Sequence, residues 1–204
     1  MSTLCEFSGI QRELFIETGM GGGETLSVAC RSFPWCVSVE KDAGNYWRTV
    51  ERFITIPNVR LFFDDSPAFL RRFLQHFRRF PDGASYPEQP TFPLSVTFWL
   101  DAHTSDRSVE NQCPLMEELG VITSTKWATL PIILIDDAHF FDASIQCCPG
   151  KSWRSCGCDP NAKHEQFPTV EQIDEALPGY RRSMRPCRCQ DLFRGPDIIQ
   201  YTPV

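Results

Sequence analysis

A glycine-rich segment that follows a short apolar run constrains the fold of this chain more than any other feature. Residues 14–18 are typical of a strand, Gly19, Gly21 and Gly23 follow at every second position, and a predicted helix begins at Glu24. Glycine tolerates positive φ and lets a ligand approach the backbone, and the start of a helix offers unpaired N–H groups. We therefore expect a strand–turn–helix unit that binds a cofactor, although such turns also occur without a ligand.

The spacing of these glycines argues against a dinucleotide. The dinucleotide fingerprint is G-x-G-x-x-G, and its third glycine is replaced by Glu24 in one frame and by Leu26 in the other. The pattern present is E-x-G-x-G-x-G, and it begins at Glu17. A buried carboxylate there would repel a pyrophosphate, so a cationic or hydrogen-bond-donating ligand fits better. A nucleotide- or NAD-using α/β enzyme remains an alternative.

Strand and helix patterns alternate along the chain. This alternation predicts a mostly parallel sheet with helices on both faces. After the first strand, we expect strands at 35–40, 59–63, 94–100, 130–135, 184–189 and 197–201. The 204 residues, 42% of them hydrophobic, are predicted to form one domain over residues 1–204.

An acidic residue ends the second predicted strand. Glu40 follows Gly19 by about twenty residues, which is the separation at which an acid in this architecture accepts hydrogen bonds from ribose hydroxyls. Glu40 is therefore a candidate cofactor-binding residue. The alternative is an exposed acid at a strand end.

A second group of chemically active residues follows the fourth and fifth predicted strands. Asp101 and His103 end the fourth strand, and Asp136 and Asp137 end the fifth. Neighbouring strands lie about 4.8 Å apart, and carboxylates in one cleft repel one another unless they share a cation or a proton. Mg²⁺ would satisfy the three aspartates and polarise a substrate hydroxyl, or His103 would act as a general base. The alternative is that these aspartates cap loops and helices.

These motifs together resemble the class I methyltransferases that use S-adenosylmethionine, whose first motif is E/D-x-G-x-G-x-G. The segments E-T-G at 17–19, F-W-L-D-A-H at 98–103, C-P-L-x-E-E-L at 113–119 and I-L-I-D-D-A at 133–138 are similar to small bacterial methyltransferase-like proteins. The acids also resemble those of catechol and macrocin O-methyltransferase-like enzymes. The resemblance covers about residues 14 to 141 and the last strand.

The resemblance implies a three-layer Rossmann-like fold, with a mostly parallel seven-stranded sheet and an antiparallel last strand. It implies methyl transfer from S-adenosylmethionine, most simply to an oxygen of a small molecule, with Asp101 and His103 as catalytic residues. The metal would be bound by Asp101, Asp136 and Asp137. The glycine turn and Glu17 would face the methionine part of the donor, and Asp65 or Asp64 would approach the adenine. The residues implied to bind the donor are Glu17, Gly19, Gly21, Gly23, Glu40 and Asp65.

A cysteine-rich insertion, predicted over residues 143–167, departs from this pattern. It contains Cys147, Cys148, Cys156 and Cys158, which would supply the four ligands of a structural zinc site. The spacing C-C-x7-C-x-C is not the usual paired arrangement, so free thiols and disulfides remain alternatives. If the insertion binds zinc or a partner, the chain is instead a non-catalytic methyltransferase-like scaffold.

The charge and hydropathy of the chain narrow the choice of partners. A net charge of -6 argues against a nucleic-acid-binding surface over the whole molecule. No apolar run reaches membrane-spanning length, and no secretory signal is visible at the start. We expect a cytoplasmic protein with a small-molecule acceptor as its partner.

Overall fold

A seven-stranded sheet forms the centre of the molecule. The computed structural model describes residues 10, 12–75, 92, 94–103, 112–142, 167–186 and 196–204. The strands are β1 (Leu14–Thr18), β2 (Trp35–Glu40), β3 (Val59–Phe63), β4 (Val96–Leu100), β5 (Ile132–Ile135), β6 (Tyr180–Pro186) and β7 (Pro196–Pro203). The helices are α1 (Glu24–Ser32), α2 (Ala43–Phe53), α3 (Ser66–Gln75), α4 (Leu115–Ser124) and α5 (Val170–Ala176), with a 3₁₀ turn at Ala138–Phe140.

The strand order is β3-β2-β1-β4-β5-β7-β6. The strands from β3 to β5 are parallel, whereas β7 runs antiparallel to both of its neighbours. This confirms the predicted mostly parallel sheet with an antiparallel last strand. The order reverses between β1 and β4, so the carboxyl ends of these two strands open the crevice in which α/β sheets bind ligands.

The two faces of the sheet carry separate hydrophobic cores. On β1, Leu14 and Ile16 face one core while Phe15 faces the other, because successive side chains of a strand alternate. The helices α1 and α2 contribute to the core around Phe15, and α3, α4 and α5 contribute to the opposite core. The result is the predicted three-layer arrangement.

The sixth strand lies earlier in the chain than the sequence suggested. We expected it to begin at Met184, but β6 begins at Tyr180, directly after Gly179 turns the chain with a φ of 83°. The sequence did not predict the start of β6 because this part of the strand contains arginines instead of an apolar run. An edge strand can be polar, and residues 181–184 of β6 are exposed.

Candidate functional site

A cavity of about 520 Å³ opens at the carboxyl ends of the central strands. This size is typical of small-molecule sites. The residues that line it include Gly19, Gly21, Glu40, Asp64, Asp101 and His103. Residues that the sequence analysis assigned to donor binding and to catalysis therefore share one cavity.

The glycines of the turn differ in the space that surrounds them. A Cβ atom on Gly19 would lie 2.8 Å from the Cα of Ala102, and one on Gly23 would lie 2.8 Å from the ring of Phe53. Such distances are too short for real contacts, so these two glycines are required by the packing of the turn against β4 and α2. Gly21 has a φ of 48°, a Cβ added to it would meet no atom within 4 Å, and it borders the cavity.

The carboxylate of Glu40 fastens the turn to the start of α2. Its Oε2 accepts a hydrogen bond from the N–H of Gly21 at 3.1 Å, and its Oε1 accepts one from the N–H of Asp42 at 2.8 Å. Each carboxylate oxygen retains a second lone pair. Glu40 can thus hold the turn and still accept hydrogen bonds from hydroxyl groups of a ligand in the cavity.

Glu17 is fully buried and does not line this cavity. Its Oε2 accepts a hydrogen bond from the hydroxyl of Ser38, which is its register partner on β2. Burial raises the pKa of Glu17 to about 8, and the hydrogen bond from Ser38 offsets only part of this rise. The predicted contact between Glu17 and the methionine part of the donor stays a prediction.

Of the two acids after β3, the structure places Asp64 at the cavity and Asp65 outside its lining. The carboxylate of Asp64 accepts the N–H of Asp65 at 2.9 Å and pairs with Arg72. The carboxylate of Asp65 accepts the N–H of Ala68 at 3.4 Å and so caps α3. Asp65 is placed for this role because α3 begins at the next residue, Ser66.

A second wall of the cavity carries a carboxylate–imidazole cluster made of Asp101, His103 and Asp137, of which Asp101 and His103 line the cavity. The Nε2 atom of His103 lies 3.3 Å from Asp137 Oδ2 and 3.8 Å from Asp101 Oδ1. One ligand atom from each of the three residues lies within 4.8 Å of the others. These distances suit either the sharing of a proton or the binding of a cation.

Aromatic rings hold His103 in place. Its ring centroid lies 5.3 Å from that of Phe140, and 5.8 Å from those of both Phe141 and Phe167. Only 6% of the His103 side chain is exposed. The imidazole is therefore fixed in one orientation, with Nε2 directed at two carboxylates.

The cluster differs from the predicted metal set, because it contains His103 in place of Asp136. The Oδ1 atom of Asp136 accepts the N–H of Asp137 at 2.9 Å. Asp137 itself has a φ of 52°, the only positive φ of a non-glycine residue among those described. Left-handed backbone is uncommon outside glycine and is found at functional sites, and the carboxylate of this residue contacts His103.

Burial and neighbouring charges both disfavour the ionised form of Asp101. The pKa of Asp101 is raised well above its ordinary value, by burial first and by the charges of Asp136 and Asp137 second. The exposed third of its side chain borders the cavity. A cation or a proton would relieve this repulsion.

A buried acid that the sequence analysis did not assign lies beside this wall. Glu118 is 1% exposed, and burial raises its pKa to about 7, with the hydroxyls of Ser66 and Thr18 opposing the rise. Its Oε1 has no hydrogen-bond partner among the described residues. Helical spacing could have revealed it, because Glu118 stands three residues after Leu115 on the apolar face of α4.

The cysteine-rich prediction cannot be compared with the structure. Cys147, Cys148, Cys156 and Cys158 lie outside the described residues, and so does the proposed zinc site. Within the described part of the chain, Cys30, Cys36 and Cys113 are free. No helix among the described residues is long and apolar enough to cross a membrane.

Comparison with known proteins identifies the fold. No protein-family profile matches the chain, and no curated protein matches its sequence. The O-methyltransferase TomG from Streptomyces achromogenes, solved with SAM, aligns with 12% identity over 95% of this chain and 74% of TomG, at a TM-score of 0.57.

Two further solved structures agree with this result. An O-methyltransferase from Bacillus cereus, solved with SAH, aligns with 12% identity over 93% of this chain and 74% of its own, at a TM-score of 0.56. The SAH-bound methyltransferase PaMTH1 from Podospora anserina aligns with 13% identity over 95% of this chain and 72% of its own, at a TM-score of 0.58. Together with the strand order, these alignments show that the chain has the fold of the class I S-adenosylmethionine-dependent methyltransferases.

Proposed function

We propose that the protein transfers the methyl group of S-adenosylmethionine to a hydroxyl oxygen of a small molecule. The observation that carries this proposal is the sharing of one cavity by two walls of different chemistry. Gly21 and Glu40 offer a seat for a nucleoside, and His103 with its carboxylates offers a base in the same cavity. The O-methyltransferases whose fold this chain shares support the choice of oxygen as the acceptor atom.

The residues of the cluster suit the proton transfer that this reaction needs. In methyl transfer the acceptor oxygen forms a bond to the methyl carbon, the bond from that carbon to sulfur breaks, and the hydroxyl proton must leave. With Nε2–H donating to Asp137, His103 would accept this proton at Nδ1, its other ring nitrogen, and the carboxylates beside Nε2 would stabilise the imidazolium that forms. The main contribution of the protein is to align the donor and the acceptor at short range.

The same three residues also fit a divalent cation. Two carboxylates and one imidazole would bind the ion, and the imidazole favours Mn²⁺ or Zn²⁺ relative to Mg²⁺. A bound ion would lower the pKa of the acceptor hydroxyl. In that case His103 would be a metal ligand rather than the base. The ion that assists the reaction would then be Mn²⁺ or Zn²⁺ instead of the predicted Mg²⁺.

Calorimetric titration of S-adenosylhomocysteine tests the donor site. We expect saturable binding by the wild type, at least tenfold weaker binding by Glu40→Ala, and wild-type binding by Glu51→Ala, whose side chain is exposed on α2. Absence of binding by the folded wild type would overturn the proposed methyltransferase activity. The scaffold alternative would then be preferred.

Titration with Mn²⁺, followed by electron paramagnetic resonance, tests the metal site. Glu117→Gln is the control, because Glu117 is about half exposed on α4 and pairs with Arg71 at the surface. We expect Asp137→Asn to weaken Mn²⁺ binding at least tenfold and Glu117→Gln to leave it nearly unchanged. If the wild type binds no Mn²⁺, Zn²⁺ or Mg²⁺, the metal is excluded and the base role of His103 remains.

A further inference from the structure

The helix α2 contacts the carbonyl side of the glycine turn. The hydroxyl of Thr49 donates a hydrogen bond to the carbonyl of Gly21 at 3.1 Å, and the guanidinium of Arg52 contacts the carbonyl of Gly22. Thr49 is fully buried, whereas Arg52 is 45% exposed and also pairs with Glu24 at 3.5 Å. Neither Thr49 nor Arg52 was singled out by the sequence analysis.

Residues just before α2 bind the backbone N–H group of the same turn. Glu40 accepts the N–H of Gly21 and the N–H of Asp42, and the Asp42 carboxylate caps α2 by accepting the N–H of Asn45 at 2.7 Å. Both the N–H and the carbonyl of Gly21 are thus bound by groups on or next to α2. The turn has no freedom to reorient at Gly21 unless one of these bonds breaks.

These hydrogen bonds matter because the glycines give the turn a high conformational entropy. A segment with glycine at every second position has more accessible backbone states than one without glycine, so fixing it has a larger entropic cost. If the binding-competent state is populated only in a fraction of molecules, the apparent dissociation constant rises by the inverse of that fraction. Bonds within the protein that hold the turn before the donor arrives therefore raise donor affinity.

We propose that α2 acts as a clamp on the donor seat, and that Thr49 and Arg52 are positioning residues for the methyl donor. This inference rests on the proposed function, since the seat is assigned to S-adenosylmethionine. Neither residue lines the cavity, so both act through the conformation of the turn. Loss of either contact lowers donor affinity and raises the KM for the donor, but leaves kcat at saturating donor unchanged, because the bound ligand restores the turn.

Matched variants of α2 test the clamp. Thr49→Val removes the hydroxyl at nearly constant volume, and Thr49→Ser restores it. Arg52→Met removes the guanidinium, and Arg48→Met makes the same change one turn earlier at an exposed position. We expect S-adenosylhomocysteine to bind about tenfold more weakly to Thr49→Val and about threefold more weakly to Arg52→Met, with changes below about twofold in both controls.

Amide hydrogen exchange of residues 20–23, measured without ligand, makes the test independent of the donor assignment. We expect faster exchange in Thr49→Val and Arg52→Met than in the wild type and the two controls. If the wild type does not bind S-adenosylhomocysteine, the proposed function fails, yet faster exchange would still support the clamp. Unchanged exchange together with unchanged affinity in both folded variants would overturn it.

Discussion

The cavity has a turn wall, formed by the glycine turn with Glu40, and a cluster wall, formed by Asp101, His103 and Asp137. Different physical interactions hold these two walls in place. On the turn wall, both oxygens of Glu40 accept backbone N–H groups, and the carbonyl of Gly21 accepts the hydroxyl of Thr49. On the cluster wall, Asp101 and Asp137 crowd each other around His103, and the backbone of Asp137 is left-handed. The first wall is completed by bonds within the protein, whereas the second holds like charges together.

This difference indicates which wall the protein prepares in advance. Hydrogen bonds to backbone groups stabilise the folded chain and fix the turn before any ligand binds. Like charges held together by the fold destabilise it until a cation or a proton enters. A preformed seat and a repulsive cluster fit the binding of a donor beside a site that handles protons or a metal.

The largest expected effect comes from Gly19, where the two walls touch. An alanine at this position would place its Cβ against the backbone of Asp101 and Ala102 while φ is 78°. Left-handed backbone and overpacking against a strand end together should lower the free energy of unfolding by about 4 kcal/mol. Urea denaturation measures this change, and S-adenosylhomocysteine binding should be lost.

Gly21→Ala is the control for that experiment. Its φ of 48° is also left-handed, but no atom lies within 4 Å of the added Cβ. We expect a loss of about 1 kcal/mol. Equal losses at the two positions would mean that the contact between the turn and β4 contributes little, and the walls would then be independent.

The elements that form these walls could be predicted because their signals are local. Six of the seven strands were found from their apolar residues, and the glycine pattern placed the turn at the cavity. The edge strand β6 was placed too late in the chain, since an edge strand can be polar on its exposed side.

The partners within the site could not be predicted, because they depend on where side chains of different elements meet. The sequence placed His103 at the same sheet edge as Asp101, Asp136 and Asp137, but it did not show that His103 would lie nearest to Asp137. The contact of Thr49 with the turn joins residues 28 positions apart in sequence. Glu118 was detectable from its helical spacing alone, but its unpaired oxygen was not.

Two buried acids behind the cavity give the next largest effect, and this effect depends on pH. The folded pKa of Glu17 is about 8 and that of Glu118 is about 7, both raised by burial. Because the folded state keeps these protons longer than the unfolded state does, stability should fall as pH rises from about 4.5 through the folded pKa. Glu17→Gln should therefore raise the free energy of unfolding at pH 8.5 by about 2 to 3 kcal/mol, as urea denaturation would show.

The difference between variant and wild type should develop over distinct pH ranges. For Glu17→Gln it should grow until about pH 8, and for Glu118→Gln it should stop growing near pH 7. Glu117→Gln is the control on α4, because Glu117 is about half exposed and pairs with Arg71 at the surface. A difference that does not vary with pH for Glu17→Gln would show that this acid ionises normally.

Removing one carboxylate charge from each wall should change the free energy of unfolding least. It is also the most direct comparison of the two walls. Asp101→Asn removes a carboxylate that burial and its neighbours disfavour. Glu40→Gln replaces one of two accepting oxygens with an NH₂ group that faces a backbone N–H. We expect Asp101→Asn to raise the free energy of unfolding by about 1 kcal/mol and Glu40→Gln to lower it by about 1 kcal/mol.

The sign of each change matters more than its size in this last experiment. Urea denaturation at pH 7.5 in a chelating buffer keeps divalent ions away, so that Asp101 has no cation to offset its charge. Adding Mn²⁺ should then stabilise the wild type and leave Asp101→Asn unchanged, because that variant lacks a ligand of the cluster. If Asp101→Asn is less stable than the wild type in the chelating buffer, the cluster is held by favourable bonds after all. Favourable interactions would then stabilise both walls of the cavity. A cation at the cluster would have to be supported by binding data alone.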